Sequence, residues 1–171
     1  MELVYLGIVI FLFALSTFDL FVGVSNDAVN FLNSAIGAKV ARFRTILIIA
    51  SIGVFVGATM SNGMMDIARH GIFQPQMFSF NDLLCIFLAV MVTDVVLLDV
   101  FNTLGMPTST TVSMVFELLG GTFILSLLKI ATDETGLLGF ADLLNTDKAL
   151  SVILGIFLSV AVAFIFGTVV Q

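Results

Sequence analysis

Long apolar runs separated by polar breaks make up this chain. The runs cover 3–24, 46–60, 83–104, 112–130 and 149–170, each close to the roughly 20 residues that carry a helix across a hydrocarbon core. Backbone groups in lipid must be satisfied within the protein, and the short alternating segments of a β-barrel are not seen, so the pattern predicts about five transmembrane helices. The fold class expected is all-α, a polytopic membrane protein forming a single membrane domain over 1–171. The second run is short unless it continues through Met65. The segments 61–82 and 131–148 read as solvated loops, the latter acidic through Asp133, Glu134, Asp142 and Asp147. Small residues recur every fourth position at Gly155, Ser159, Ala163 and Gly167, and again at Gly53, Gly57 and Ser61. Such stripes predict close packing of helix backbones.

Composition sharpens this picture. With 60% hydrophobic residues, 11% charged residues and a mean hydropathy of +1.21, lipid must be the solvent for most of the surface. The net charge of −6 sits mainly in the connections, so neither nucleic acid nor anionic lipid is suggested as a partner. Glu2 and no basic residue precede the first run, which argues for a retained helix rather than a cleaved signal. Cys85, the single cysteine, lies in an apolar run and reads as a small packing residue. His70 reads as solvated. No Cys/His metal-ligand pattern, nucleotide-binding glycine loop or catalytic triad signature is present, so no enzyme and no cofactor is expected. The basic cluster Lys39, Arg42 and Arg44 places the connection after the first helix in the cytoplasm, with Arg69, Lys129 and Lys148 on the opposite side.

Polar groups within the apolar runs are the informative ones, because each costs free energy in hydrocarbon unless it meets a partner, water or a substrate. Asn26, Asp27, Asn30 and Asn33 interrupt a long run without forming a loop. The three asparagines share one helical face, whereas Asp27 lies about 100° around from Asn26. A helix broken over 25–30 would expose carbonyls beside the carboxylate, an oxygen set that suits a small hard cation such as Na⁺. The alternative is that these groups only bond one another between helices.

The second cluster is a break at Gly105 and Pro107 followed by Thr108, Ser109, Thr110 and Thr111. It reads as a helix start with a proline in the first turn and a hydroxyl cap, whose free N–H groups form a ready anion site. An ordinary capped turn is the alternative. Asp94, Asp99 and Glu117 are intramembrane acids open to three readings: proton or cation carriers, hydrogen-bond donors between helices, or partners of one another. Asp19 reads as lying near a polar break.

At these clusters the chain resembles the inorganic phosphate transporter family, PiT, whose signatures run approximately G-A-N-D-x-x-N-A and G-x-P-x-S-T-T-H. They stand here as Val24-Ser25-Asn26-Asp27-Ala28-Val29-Asn30-Phe31 and Gly105-Met106-Pro107-Thr108-Ser109-Thr110-Thr111-Val112. The family's glycine appears one place early as Gly23, its histidine is Val112, and Glu117 stands where a small residue is usual.

The resemblance implies ion-coupled symport of inorganic phosphate, with Na⁺ or H⁺ as the coupling ion. It implies two inverted repeats around a phosphate site near the midplane, this chain supplying the N-terminal one, and an odd number of spans suits one member of such a pair. By that analogy Asn26, Asp27 and Asn30 hold Na⁺, while Asn26, Asp27, Ser109, Thr110 and Thr111 hold phosphate. Asn33, Asp94, Asp99 and Glu117 stand behind them. A homodimer of the complete protein in the inner (plasma) membrane is also expected, with the second repeat outside this chain. The rival readings are a permease for another oxyanion such as sulfate and a non-transporting membrane subunit. A further possibility is two antiparallel copies rebuilding the missing repeat.

Overall fold

A computed structural model describes residues 2–61, 71–133 and 136–170. The expected helices are all present within it. They are α1 (Glu2–Gly37), α2 (Phe43–Thr59), α3 (Phe80–Leu104), α4 (Thr110–Thr132), the single turn α5 (Phe140–Leu143) and α6 (Thr146–Val170). Four of these are long and apolar enough to cross a membrane, and α2, with 17 residues, is the shorter apolar fifth. The continuation of the second run through Met65, together with Arg69, His70 and Glu134, lies outside the described residues.

One expectation fails on α1, which runs unbroken through 25–30. The polar side chains find partners without freeing any backbone: Ser25 Oγ donates to the Phe21 carbonyl at 2.8 Å, and the asparagines bond outward to neighbouring segments. With its carbonyls kept in the helix, this stretch presents side-chain oxygens only. At 1.5 Å per residue the 36 residues of α1 span roughly 54 Å, well beyond a hydrocarbon core of about 30 Å.

α1 and α3 lie side by side and run in the same direction. Tyr5 meets the Phe80 ring edge-on at 5.9 Å near one end, and Asn26 bonds Asn102 near the other. The two helices pack closely where α1 carries Gly23, since a Cβ there would sit 3.7 Å from Thr110 Cγ2 and 3.8 Å from Leu98 Cδ1. α4 returns antiparallel, with Gly121 set against Ile86 and Val90 of α3. α2 flanks α1, and α6 meets the bundle through its first turns, with Ala149 buried and Val152 and Ile156 packed against the core.

Among the described residues the glycines of the small-residue stripes therefore have no partner. Nothing lies within 4 Å of a Cβ placed on Gly53, Gly57, Gly155 or Gly167. Cys85 likewise sits on an exposed position of α3 rather than in the core.

The connections also depart from expectation, because they are not simply solvated. Ile72, Phe73, Phe78 and Leu143 are buried in one cluster with Ile86, Val90, Val115 and Leu118. Gln74 N–H donates to the Leu143 carbonyl at 2.9 Å and Asn145 N–H to the Ile72 carbonyl at 3.0 Å, which joins the two connections. The apolar side chains within these polar stretches close the end of the α3–α4 pair, and the paired backbone makes their burial tolerable. Lys129 ties the same end together, reaching Asp82 Oδ2 at 2.8 Å and the Met77 carbonyl at 3.2 Å.

Helix ends follow from local chemistry. Ser79 and Asp82 form a reciprocal capping box at the start of α3. Gly105 ends α3 in the left-handed conformation at φ 66°. A side chain is strained there, so Gly105→Ala is expected to cost about 1 kcal/mol in reversible unfolding measured in mixed micelles. An unchanged midpoint would mean that the turn relaxes without strain.

Candidate functional site

The break between α3 and α4 brings the two sequence clusters together. α1 presents Asn26 and Asn30 one turn apart, and Asn30 Nδ2 donates to Asn26 Oδ1 at 3.2 Å. Asn30 Nδ2 also reaches the Thr108 carbonyl at 2.7 Å, and Asn26 Nδ2 donates to Asn102 Oδ1 of α3 at 2.7 Å. Asn102 in turn donates to the Val22 carbonyl at 3.2 Å. This network ties α1 to both ends of the break.

Beside it lies a recess of about 340 Å³ lined by Asn26, Asn30, Asn33, Asn102, Gly105 and Pro107 among others. Its lining is more polar than that of three larger recesses elsewhere on the helices, which are walled almost wholly by apolar side chains. Its walls offer carboxamide oxygens and N–H groups together, and so can meet either sign of charge.

Asp27 points elsewhere, as its helical angle requires. It accepts the Thr110 hydroxyl, at 3.3 Å to Oδ1 and 3.1 Å to Oδ2. The carboxylate of the first cluster is thereby joined to the hydroxyl run of the second across 83 residues of sequence. Ser109 is the cap of α4, its Oγ accepting the Val112 N–H at 3.4 Å, and Pro107 stands two residues before that cap rather than inside the first turn. Thr111 is exposed on the first turn of α4.

Sequence reading missed Asn102. A lone carboxamide in the apolar run of α3, a turn before the Gly105 break, was the available signal. Asn26 is 3% exposed, so removing Asn102 leaves its amide without a partner in a nearly closed setting. Asn102→Leu is expected to cost about 1–2 kcal/mol in the same unfolding measurement. A neutral effect would mean that Asn26 readily finds another acceptor.

Three further acids form a second polar group nearer the middle of the bundle. Asp19 of α1, Asp94 of α3, and Ser113 and Glu117 of α4 converge there. Asp19 and Asp94 are within hydrogen-bonding reach of each other, Asp94 also reaches Ser113, and Ser113 Oγ donates to Glu117 Oε1 at 2.8 Å. Asp19 is thus part of this group and lies near no break in its helix. Asp99 is exposed on α3 and joins neither group.

Residues 23–171 match the profile of the phosphate transporter family. The match begins at Gly23 and takes in both clusters, the break and every helix after α1. The chain belongs to the phosphate transporter family. No individual curated protein and no solved structure matches it.

The transporter is accordingly a multi-pass membrane protein of a transport family rather than an enzyme. Membership gives physical meaning to two departures from the family motif. Gly23, one place early, stands where α1 comes closest to Thr110 and Leu98. Glu117, in place of a small residue, is held by Ser113 within the acidic group.

Proposed function

We propose that the transporter moves inorganic phosphate together with a cation, Na⁺ or H⁺, across the inner (plasma) membrane. The observation that carries this reading is the hydrogen bond from Thr110 to Asp27. In this state the hydroxyl best placed to hold an anion is occupied by a carboxylate, and the two functions compete for one donor. A cation on Asp27, completed by carboxamide oxygens of Asn26 and Asn30, neutralises that carboxylate and releases Thr110. Thr110, with Thr111 and Ser109 beside it on the first turn of α4, then donates to phosphate oxygens, and the open N–H groups of the turn face the same anion.

Magnitudes support coupling. Two unit charges 4 Å apart interact by about 4 kcal/mol at an effective dielectric constant of 20. Phosphate beside an ionised Asp27 is opposed by an energy of that order, and a bound cation reverses its sign. Each ion therefore raises the affinity for the other, which is the thermodynamic requirement for symport. Asn33 lines the recess together with Asn26 and Asn30, which supports a place for it behind the site.

Alternating access needs a counterpart against which this bundle moves. The unpartnered small-residue faces of α2 and α6 suit a second, inverted repeat, and a dimer of the complete protein accommodates the rest of the apolar surface. Uptake of labelled phosphate into proteoliposomes under an imposed Na⁺ or proton gradient is the test. Uptake should follow one of these gradients and saturate with phosphate. Accumulation indifferent to both gradients would sink the coupling scheme.

A further inference from the structure

We infer that Asp19, Asp94 and Glu117, linked through Ser113, form an intramembrane proton-binding site separate from the site around Asp27 and Thr110. Asp94 is the central observation. It is 2% exposed, and among the described residues its Oδ1 has no hydrogen-bond partner; Oδ1 of Asp19 and Oε2 of Glu117 are likewise enclosed and unpartnered there. A buried carboxylate oxygen without a donor is costly, and a proton is the smallest ligand that removes the cost.

Hydrogen accounting leads to the same site. The chain of contacts runs Glu117, Ser113, Asp94, Asp19, three contacts in all. Each contact needs one hydrogen, and ionised carboxylates bring none. Ser113 brings one, which it gives to Glu117. Ser113 then has no second hydrogen for Asp94, and a proton on the acids themselves is what can join Asp94 to Ser113 and Asp19.

A metal ion fits less well. No group of three or more acid, histidine or cysteine side chains among the described residues is arranged to hold one. Nor does a cation of the protein substitute. Among the described residues Lys39, Arg42 and Arg44 lie around the α1–α2 connection, Lys129 pairs with Asp82 about 18 Å further along α4, and Lys148 opens α6. The other acids within α1, α3 and α4 are Glu2 at the far start of α1, Asp27, two turns along α1 and bonded to Thr110, Asp99 on the exposed side of α3, and Asp82, already paired.

The site has an entrance. Glu117 lines a groove of about 430 Å³ between α3 and α4, together with Thr93, Gly120 and Gly121, whereas Asp94 is closed off from it. A proton reaching Glu117 from the groove passes to Ser113 as the hydroxyl gives its own hydrogen to Asp94, and Asp94 passes one on to Asp19. Glu117, Ser113 and Asp94 each receive one hydrogen and give one, and Asp19 keeps the last, so no other reactant is needed. Asp19 stands about 12 Å along α1 from Asp27, which places proton occupancy on the helix that carries the cation-facing carboxylate. The link to transport rests on the symport reading above; the proton site itself does not.

Infrared difference spectroscopy of the transporter in lipid nanodiscs tests occupancy directly. The C=O stretch of a protonated carboxyl should be present at neutral pH, shift in D₂O and disappear as pH is raised. Its amplitude should fall by half or more in Asp94→Asn and fall also in Glu117→Gln, a groove-side change that keeps the assembly intact if Asp94→Asn does not fold. No such band at neutral pH, or a band unchanged in both variants, overturns the proposal. A band removed at fixed pH by added Na⁺ overturns it in favour of a sodium site. Inorganic phosphate binding measured on the same samples separates the two readings: loss of binding with the band intact counts against the phosphate site alone.

Discussion

Asp27→Asn is expected to reduce gradient-driven phosphate uptake by roughly 100-fold while leaving the helices assembled. The change keeps the shape of the side chain and its contact with Thr110, and removes only the charge that a bound cation needs. A 100-fold loss corresponds to about 2.7 kcal/mol, within the range of a hydrogen bond or contact to a charged group in a desolvated setting. Stability should change far less, because Asp27 is half-buried, its partner is a neutral hydroxyl, and an amide can accept the same hydrogen bond. Uptake in proteoliposomes and unfolding in mixed micelles are the two measurements. Wild-type coupling in the variant would remove Asp27 from the ion path and leave its bond to Thr110 as a link between helices.

Ser109→Ala together with Thr110→Ala should weaken phosphate binding by a further distinguishable route. On the proposed reading Thr110 would supply a charge-assisted donor worth roughly 1.5–3 kcal/mol to an anion, or about 10- to 100-fold in affinity. Ser109 is the cap of α4, and losing it costs typically about 1 kcal/mol of helix stability. Binding should therefore fall much more than the fold. Val112→Ala alters the same turn without removing a donor and should leave phosphate affinity near wild type. Thr110→Ala alone should also strip Asp27 of the only side-chain hydrogen bond it receives among the described residues, so cation and phosphate affinity are expected to decline together. If the double variant melts early and binds phosphate normally, the hydroxyls are structural and the anion lies elsewhere.

Much of this architecture was legible along the chain. Runs of about 20 apolar residues leave helices as the only structures that satisfy their backbone in lipid, so the five long helices needed no tertiary information, although the end of α1 and the single turn α5 did. Helical spacing alone put Asn26, Asn30 and Asn33 on one face and Asp27 on another, and in the structure the asparagines share one recess while Asp27 turns to Thr110. The Gly105 break was visible too, because a glycine and a proline among hydroxyls announce a helix end and a helix start.

What only the tertiary structure decided was which polar groups meet. Whether 25–30 breaks depends on partners that lie on α3 and in the loop after it; with Asn102 and Thr108 in reach, side chains satisfy one another and the helix stays whole. Asp19, Asp94 and Glu117 are separated by 75 and 23 residues, and no local pattern says that parallel α1 and α3 and antiparallel α4 bring them to one level. The same holds for Ile72, Phe73 and Leu143, whose burial follows from two connections closing on each other. Local sequence determines a helix because its hydrogen bonds are local; a site in the membrane is made of groups that need each other across helices, and only packing determines which of them come within reach.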